Sequence, residues 1–597
     1  MTLFEDKKIL SASVVSFLLF LLFIKLFQLQ VYERQKYREF SDKNRIRRVR
    51  IIPSRGNIYD RNGKLIVKNQ PAYSVYAVPF ECRNDSVINL LSVILADSGA
   101  VIRKKLAAAV NPFTPVKLWN DIQYQAMIRI EENKLNLPGI FFKIEPKRTY
   151  LDNLWSAHLL GYLAEVTKKE LETLPQADIT PGDIIGKKGI EKAFDDKLRG
   201  LAGYNFIEVN ALGREVADKD FAGERDPAPG HDLYLTIDLD MQKLAEDLLS
   251  NRQGGVIFID TRNGEVLVLC SKPDYDPALL AGNIPYNTWQ NLLNDPAKPL
   301  FDRMIQGEFP PGSTFKLVML AAALQENKIT ENTMYSCPGY FHFGSATFNC
   351  WNHAGHGTNN LTDAIKMSCN VYLYNVSLGV DVNTWARFAC EFGFGRVTGI
   401  DLPGEKAGNV PDSTYLNNTY QKTGWTRGML LNLGIGQGDL LTTPLQMAQF
   451  AMILANSGMW YTPHLVKRFV DTQNRDIPGD SVKVYQTGSI SAHTYAIIRN
   501  GMRLVVNGDR GTGRASRLPD IEVAGKTGTA QNPHGEDHAW FIGFAPFERP
   551  EVAFCVFIEN GGGGGAQAAP IAHDLLQMYF NKSRSRAASD SIVYYTH

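Results

Sequence analysis

The stretch Pro310-Pro311-Gly312-Ser313-Thr314-Phe315-Lys316 leads straight into the apolar run Leu317-Val318-Met319-Leu320-Ala321-Ala322-Ala323-Leu324. A proline–glycine turn ahead of such a run is a helix start. Ser313 then sits at the helix N-terminus, where unpaired backbone N–H groups and the helix dipole favour developing negative charge. Lys316 follows one turn later on the same face. A lysine buried there gives up its proton more easily and can act as base for the hydroxyl. The bland alternative is a capping serine with a solvated lysine. Chance alone supplies about two or three S-x-x-K pairs in a chain this long, so the pair by itself decides nothing.

Two later motifs change the balance. Ser368-Cys369-Asn370 precedes Val371-Tyr372-Leu373-Tyr374-Asn375-Val376, a run that fits helix or strand. Ser368 offers a proton relay and Asn370 an amide for holding substrate. Lys-Thr-Gly occurs twice. Lys422-Thr423-Gly424 lies among polar residues, whereas Lys526-Thr527-Gly528-Thr529 follows the strand-like Ile521-Glu522-Val523-Ala524-Gly525. A second strand-like run, Ala539 to Gly543, returns soon after. A strand edge binds an extended peptide by main-chain pairing, and a lysine on it can hold a terminal carboxylate. Lys526 is therefore selected and Lys422 read as coincidence. In this order, the three motifs describe serine acyl transfer with a lysine base.

The surrounding pattern gives a mixed α/β fold. Leu233 to Ile237 reads as a strand and Asp240 to Asn251 as a helix; Val256–Ile259 and Val266–Leu269 flank the turn Arg262-Asn263-Gly264 as a hairpin. Ile521–Val523 and Val552–Ile558 read as further strands, and Ala566 to Phe580 as a closing helix. Strands at both ends with helices between predict a mainly antiparallel sheet flanked by helices, joining distant segments. The composition shift at Pro227-Ala228-Pro229-Gly230 marks a boundary. Before it, Leu65–Val67 and Ala72–Val78 read as two strands, 85–135 as helical, and 146–228 as short helices and turns. Few catalytic residue types converge there, which suits an α+β stalk.

The 597 residues exceed one compact core. Charged residues are 21% and hydrophobic ones 44%, an ordinary globular balance, and the net charge of +1 argues against nucleic-acid binding. Ile9 to Ile24 carries no charge, and Lys25 near the end of the span can snorkel. A cleaved signal would end in small residues. Phe27-Gln28-Leu29-Gln30-Val31 follows instead, so the expectation is an uncleaved anchor over 9–31 with a short tail, 1–8, before it. Residues 32–50 are polar and basic and read as a helical or irregular neck. The division expected is tail 1–8, transmembrane anchor 9–31, pedestal 32–230 and catalytic domain 231–597.

With these motifs in place the chain resembles the class B penicillin-binding proteins, the D,D-transpeptidases that cross-link peptidoglycan. Arg55-Gly56-Asn57-Ile58-Tyr59-Asp60-Arg61-Asn62-Gly63 is similar to the family's motif after its anchor, and Leu433-Gly434-Ile435-Gly436-Gln437-Gly438 to its glycine-rich segment. The resemblance covers nearly the whole chain and favours the elongation-specific type over the division-specific one. It implies Ser313 as nucleophile, Lys316 as base, Ser368 and Lys526 in proton traffic, and Asn370 on the donor peptide. It further implies that Thr527 and Thr529 contact the donor carboxylate, and that the Ser313 and Thr529 N–H groups form the oxyanion hole. The substrates implied are stem peptides, with β-lactams as mimics. The partners implied are a RodA-like glycan polymerase and an MreC-like scaffold. A count of positive residues after the anchor, from Arg34 to Arg50, would put the C-terminal side in the cytoplasm; the chemistry implied puts it outside the cytoplasmic membrane. D,D-carboxypeptidase activity stays open. A β-lactam sensor would need more than one span or a cytoplasmic effector.

Cys337, Cys350 and Cys369 lie close in sequence, with His342, His353 and His356 among them. The spacing C-x12-C-x5-H-x12-C offers a Cys3His zinc set; in an exported protein, a Cys337–Cys350 disulfide is the alternative. Elongation-type relatives imply metal ligands at matching positions and favour His356 over His353, so the expected structural zinc set is Cys337, Cys350, His356 and Cys369. Cys82, Cys270, Cys390 and Cys555 read as buried small hydrophobes, and Gly561 to Gly565 as a flexible turn.

Overall fold

The computed structural model describes the chain except residues 1, 36–45, 83, 110, 111, 114, 152–155, 175–178, 210–214, 218–224, 281–285, 478, 480, 534 and 594–597. Part of the basic neck falls in 36–45, outside the described residues. Helix α1, Thr2–Phe27, continues through a π turn, Gln28–Tyr32. Its apolar stretch Ile9–Tyr32 has a mean hydropathy of 2.5 and none of it is buried. By length and composition this helix is long enough to cross a bilayer.

The described chain forms two compact units. One comprises 1–54, 70–147 and 200–229. In it Ile46–Ile51 is a strand, not the helical or irregular neck expected, and pairs antiparallel with Gly203–Val209. The 85–135 region is not all helix. Helices Asp85–Leu95, Gly99–Ala107 and Tyr124–Glu132 are interrupted by the strand Val116–Trp119. Val75, Val87, Leu91, Ile102, Leu118 and Ile130 form its core. Leu65–Val67 and Ala72–Val78, expected as two strands, are one strand, Leu65–Ala77.

The second unit comprises 55–69, 148–199 and 230–597. Two segments preceding the Pro227–Gly230 boundary thus pack with the C-terminal part. The strand Ile58–Tyr59 pairs in parallel with Leu233–Tyr234, and the Asn57 N–H donates to Asp232 at 2.6 Å. The two early segments are joined to each other at a desolvated ion cluster: Arg55 Nε lies 2.6 Å from Glu191 Oε2, Arg148 Nε lies 2.7 Å from Glu191 Oε1, and Glu191 is fully buried. Asp60 of the same motif accepts the backbone N–H groups of Asn62 and Lys64 at 2.8 and 2.7 Å, closing the turn that Asn62-Gly63 signals.

The centre of this unit is a five-stranded sheet built from β1 (Gly254–Asp260), β2 (Val266–Lys272), β3 (Ala524–Ala530), β4 (His538–Ala545) and β5 (Val552–Ile558). The order is β2-β1-β5-β4-β3 and every neighbouring pair is antiparallel. Every residue of β1, β2, β4 and β5 is buried, so both faces are covered. Helices that bear on the site are α2 (Lys316–Gln325), α3 (Leu361–Lys366), α4 (Asn370–Ser377), α5 (Pro444–Ala455), α6 (Ala492–Asn507) and α7 (Gly564–Val593). All of α5 is buried, opened by a Thr443/Gln446 capping box with Pro444 in the first turn. Strand β3 lies at a sheet edge and begins at Ala524, later than the Ile521–Val523 expected. Lys526 is therefore inside the strand.

Candidate active site

Ser313 stands in a 3₁₀ turn, Gly312–Phe315, and the α-helix proper begins only at Lys316. The turn is tightened by Thr314, whose hydroxyl donates to the Pro311 carbonyl at 2.7 Å. Behind it, α2 is apolar around most of its circumference and buried from Lys316 through Ala323, which makes it a core helix. Two glycines let backbone close on the turn. The Gly312 N–H donates to the Gly436 carbonyl at 2.9 Å, and a Cβ on Gly436 would lie 2.0 Å from the Gly312 oxygen. On the other side a Cβ on Gly528 would lie 2.9 Å from Thr314 Cγ2 and 3.0 Å from the Pro311 oxygen. The glycine-rich segment 433–438 and strand β3 thus clamp the serine turn from two directions. Ser313 itself stays half-buried.

Ser368 occupies the link between α3 and α4 with φ +55°, the left-handed region. Such a backbone in a serine costs about 1–3 kcal/mol and persists where surroundings enforce it. Here the Ser368 and Cys369 N–H groups donate back to the Ile365 and Ala364 carbonyls, closing the end of α3. The turn aims both Ser368 oxygens at Lys316. Lys316 Nζ lies 2.8 Å from the Ser368 carbonyl oxygen, 3.3 Å from its Oγ and 2.6 Å from Asn370 Oδ1. Lys526 Nζ reaches the same hydroxyl at 2.9 Å and the Thr527 carbonyl at 2.9 Å. Both lysine side chains are buried. Burial pushes Lys316 down to about 8. Burial first, and the neighbouring Lys316 second, hold Lys526 well below the ordinary lysine range. The site therefore holds two amines that lose protons easily, joined through one hydroxyl, beside an accessible serine.

Of the predicted residues, Lys316, Ser368, Asn370 and Lys526 meet through side-chain contacts, with two qualifications. Asn370 binds Lys316 through Oδ1, while its Nδ2 donates to the Asn349 carbonyl at 3.3 Å. Thr527 points to the strand face opposite Lys526, as the two-residue alternation of a strand requires, and its hydroxyl lies 2.7 Å from that of Thr512. Thr529 is exposed on β3. Lys422 is exposed, in the connection between helices Ser413–Thr419 and Arg427–Gly434, apart from the other motifs. Sequence reading missed Asn349, Tyr374 and Thr512. The Tyr374 hydroxyl donates to the Asn349 carbonyl at 3.2 Å.

The strands Tyr340–Phe343 and Ala346–Asn349 form a short hairpin. At its base the ligand atoms of Cys337, Cys350, His356 and Cys369 all lie within 4.8 Å of one another. His356 Nδ1 is 3.6 Å from Cys337 Sγ and 3.5 Å from Cys350 Sγ. Tetrahedral zinc with bonds of about 2.3 Å to sulfur and 2.0 Å to nitrogen sets that edge at about 3.5 Å, so the donor set fits the ion. His353 is exposed and outside the cluster. Cys350 is held far below the ordinary thiol range, first by the Cys369 thiol it accepts from, then by His356 and by the N–H groups of Asn352 and Asn370. Cys369 is pushed up in return. Its sulfur also caps α4, accepting the Tyr372 N–H at 3.5 Å. None of the seven cysteines is joined in a disulfide. Cys390, expected to be buried, is exposed, because it falls beside the apolar stripe Trp385, Ala386, Phe388 and Ala389 of its helix.

The penicillin binding protein transpeptidase domain matches residues 254–577, and the penicillin-binding protein dimerisation domain matches 50–235. The chain belongs to the penicillin-binding protein transpeptidase family. It is 34% identical to the peptidoglycan D,D-transpeptidase MrdA of Haemophilus influenzae, covering 94% of this chain and 89% of that protein. It is 33% identical to MrdA of Escherichia coli K12, covering 91% of this chain and 89% of that protein. Among solved structures it resembles the Helicobacter pylori PBP2 in complex with MreC, with a TM-score of 0.79 and 29% identity over 90% of this chain and 100% of that one. It also resembles a chain of a peptidoglycan synthase complex that coordinates polymerization and crosslinking, with a TM-score of 0.71 and 27% identity over 96% of this chain and 98% of that one.

Proposed function

We propose that this chain is a serine D,D-transpeptidase that cross-links peptidoglycan stem peptides during cell elongation and is a target of β-lactams. The observation that carries the reading is the single Ser368 hydroxyl held between two buried lysines beside the Ser313 turn. Ser313 Oγ attacks the carbonyl of the penultimate D-alanine, and neutral Lys316 takes its proton. The amide bond to the last D-alanine breaks, and Ser368 with Lys526 returns a proton to the departing amine. The Ser313 and Thr529 N–H groups hold the oxyanion, Asn370 binds the donor amide, and Thr527, Gly528 and Thr529 on the strand edge receive the donor chain and its carboxylate. An amine from a second stem peptide then attacks the ester carbonyl and gives a proton to the Ser368–Lys526 pair; the carbonyl–Oγ bond breaks as Lys316 returns its proton to Ser313.

The remaining parts follow the same reading. Residues 9–31 anchor the protein in the cytoplasmic membrane, 32–230 form the pedestal, and 231–597 the catalytic domain outside the cytoplasm. The H. pylori PBP2–MreC complex and the peptidoglycan synthase complex support an MreC-like scaffold and a RodA-like polymerase as partners. Cys337, Cys350, His356 and Cys369 would hold a zinc ion that is structural, since four protein ligands leave no site for water.

Incubation with lipid-linked pentapeptide substrate tests the function. A new bond between the penultimate D-alanine and a second stem peptide is expected, and it should be lost in Ser313→Ala. Release of D-alanine alone, without cross-links, would make the enzyme a carboxypeptidase.

A further inference from the structure

Thr512 lies outside all three motifs, yet its hydroxyl is 2.7 Å from that of Thr527. It is half-buried on the turn that follows α6. Three elements fix that turn. The Gly513 N–H donates to Val505 of α6 at 2.9 Å, and the Thr512 N–H approaches the carbonyl of Lys366, the last residue of α3, at 3.4 Å. The first turn of α7 packs so closely that a Cβ on Gly565 would lie 2.3 Å from the Thr512 carbonyl oxygen. Thr512 is thus placed rigidly against β3.

A threonine hydroxyl has one proton and two lone pairs. Of two hydroxyls in contact, one donates and the other accepts. A carboxylate only accepts. If Thr527 is to give its proton to a ligand carboxylate, Thr512 must be the donor of the pair, and its donation polarises the Thr527 O–H further. We propose that Thr512 is a positioning residue for carboxylate recognition: by donating to Thr527 Oγ1 it turns the Thr527 proton toward the C-terminal carboxylate of the donor or the carboxylate of a β-lactam. This rests on the transpeptidase reading and adds to it a residue that selects for a charged ligand.

The test compares acylation of the full-length protein by benzylpenicillin and by its uncharged methyl ester. The Thr512–Thr527 bond joins two neutral hydroxyls, and losing a bond of that kind carries about a two- to tenfold factor. Thr512→Val should lower the second-order acylation constant for benzylpenicillin by up to about tenfold and leave that for the ester within about twofold. Thr512→Ser should behave as wild type. In a Thr527→Val background, adding Thr512→Val should change nothing further. Equal losses with both ligands, or additive losses in the double variant, would mean that Thr512 merely supports the fold, and the proposal fails. No loss with either ligand also overturns it. If wild-type protein takes both ligands at one rate, carboxylate recognition itself fails, a result distinct from any effect of Thr512. Should Thr512→Val not fold, the Thr512→Ser and Thr512→Ala pair gives the same comparison, with rescue expected only in serine.

Discussion

Lys316 and Lys526 meet at one oxygen: their Nζ atoms lie 3.3 and 2.9 Å from the Ser368 hydroxyl, and both are buried. Two ammonium groups this close in a dry site repel, so the pair favours losing a proton. The repulsion adds to burial in lowering Lys526, while burial itself carries Lys316 down to about 8. Its basic form grows as pH rises. Acylation of Ser313 by penicillin should therefore climb about tenfold per pH unit below that value and level off above it. Stopped-flow acylation rates from pH 6 to 9.5 check this, and a profile flat across the range would remove lysine as the base.

The same burial predicts a trade between activity and stability. A lysine whose folded pKa lies below its unfolded value of 10.5 opposes folding while it is charged. The sign follows from proton counts. Between about 8 and 10.5 the unfolded chain binds more protons, so stability rises with pH there; below 8 the penalty is fully present. Lys316→Met should thus abolish acylation yet stabilise the domain at pH 7 by about 1–3 kcal/mol. Thermal unfolding of the variant beside wild type decides it; a lower melting temperature would show that the Ser368 and Asn370 contacts outweigh desolvation.

Glu191 gives the opposite case. It is fully buried between Arg55 and Arg148. Burial pushes its carboxyl up, but the two guanidiniums outweigh that and hold it below the usual range. Removing it leaves Arg55 with Asp195 alone, at 2.8 Å, and takes from Arg148 its buried carboxylate partner. Glu191→Ala should cost about 3–5 kcal/mol, measured by denaturant unfolding. Because the folded pKa is depressed, the contribution is present above the ordinary carboxylate range and lost as pH falls through the folded value. A variant within about 1 kcal/mol of wild type would make the cluster dispensable.

These residues show what a sequence discloses. The pairing of Ser313 with Lys316 was legible because helix geometry fixes residues three apart on one face, and β1, β2 and β5 because their apolar runs are buried on both faces. Ser368 was read as a candidate relay from its motif, but its left-handed backbone was not legible, because it depends on how α3 ends. Thr512 and Asn349 act through a hydroxyl and a main-chain oxygen brought in by distant loops, and neither leaves a local pattern. The Arg55 motif was recognised, whereas its partners Arg148 and Glu191 lie about 90 and 140 residues away, beyond any periodicity. The Ile46–Ile51 strand was missed because alternating basic residues mask the pattern that its partner Gly203–Val209 completes.

The zinc expectation can be carried to the catalytic residues. Cys350 directly follows Asn349, whose carbonyl accepts from both Asn370 Nδ2 and the Tyr374 hydroxyl. Cys369 stands between Ser368 and Asn370 and caps α4. An ion joining these two cysteines to Cys337 and His356 would lock the hairpin to the second motif. Elemental analysis should find about one zinc per chain, a closed four-ligand site. Cys350→Ser should lower both zinc content and melting temperature and slow acylation, since Asn370 loses a fixed partner. Tyr374→Phe should keep the zinc and slow acylation less, because one of the two donors to Asn349 remains. A non-reducing peptide map with Cys337 joined to Cys350, and no stoichiometric metal, would sink the zinc site and put a disulfide in its place.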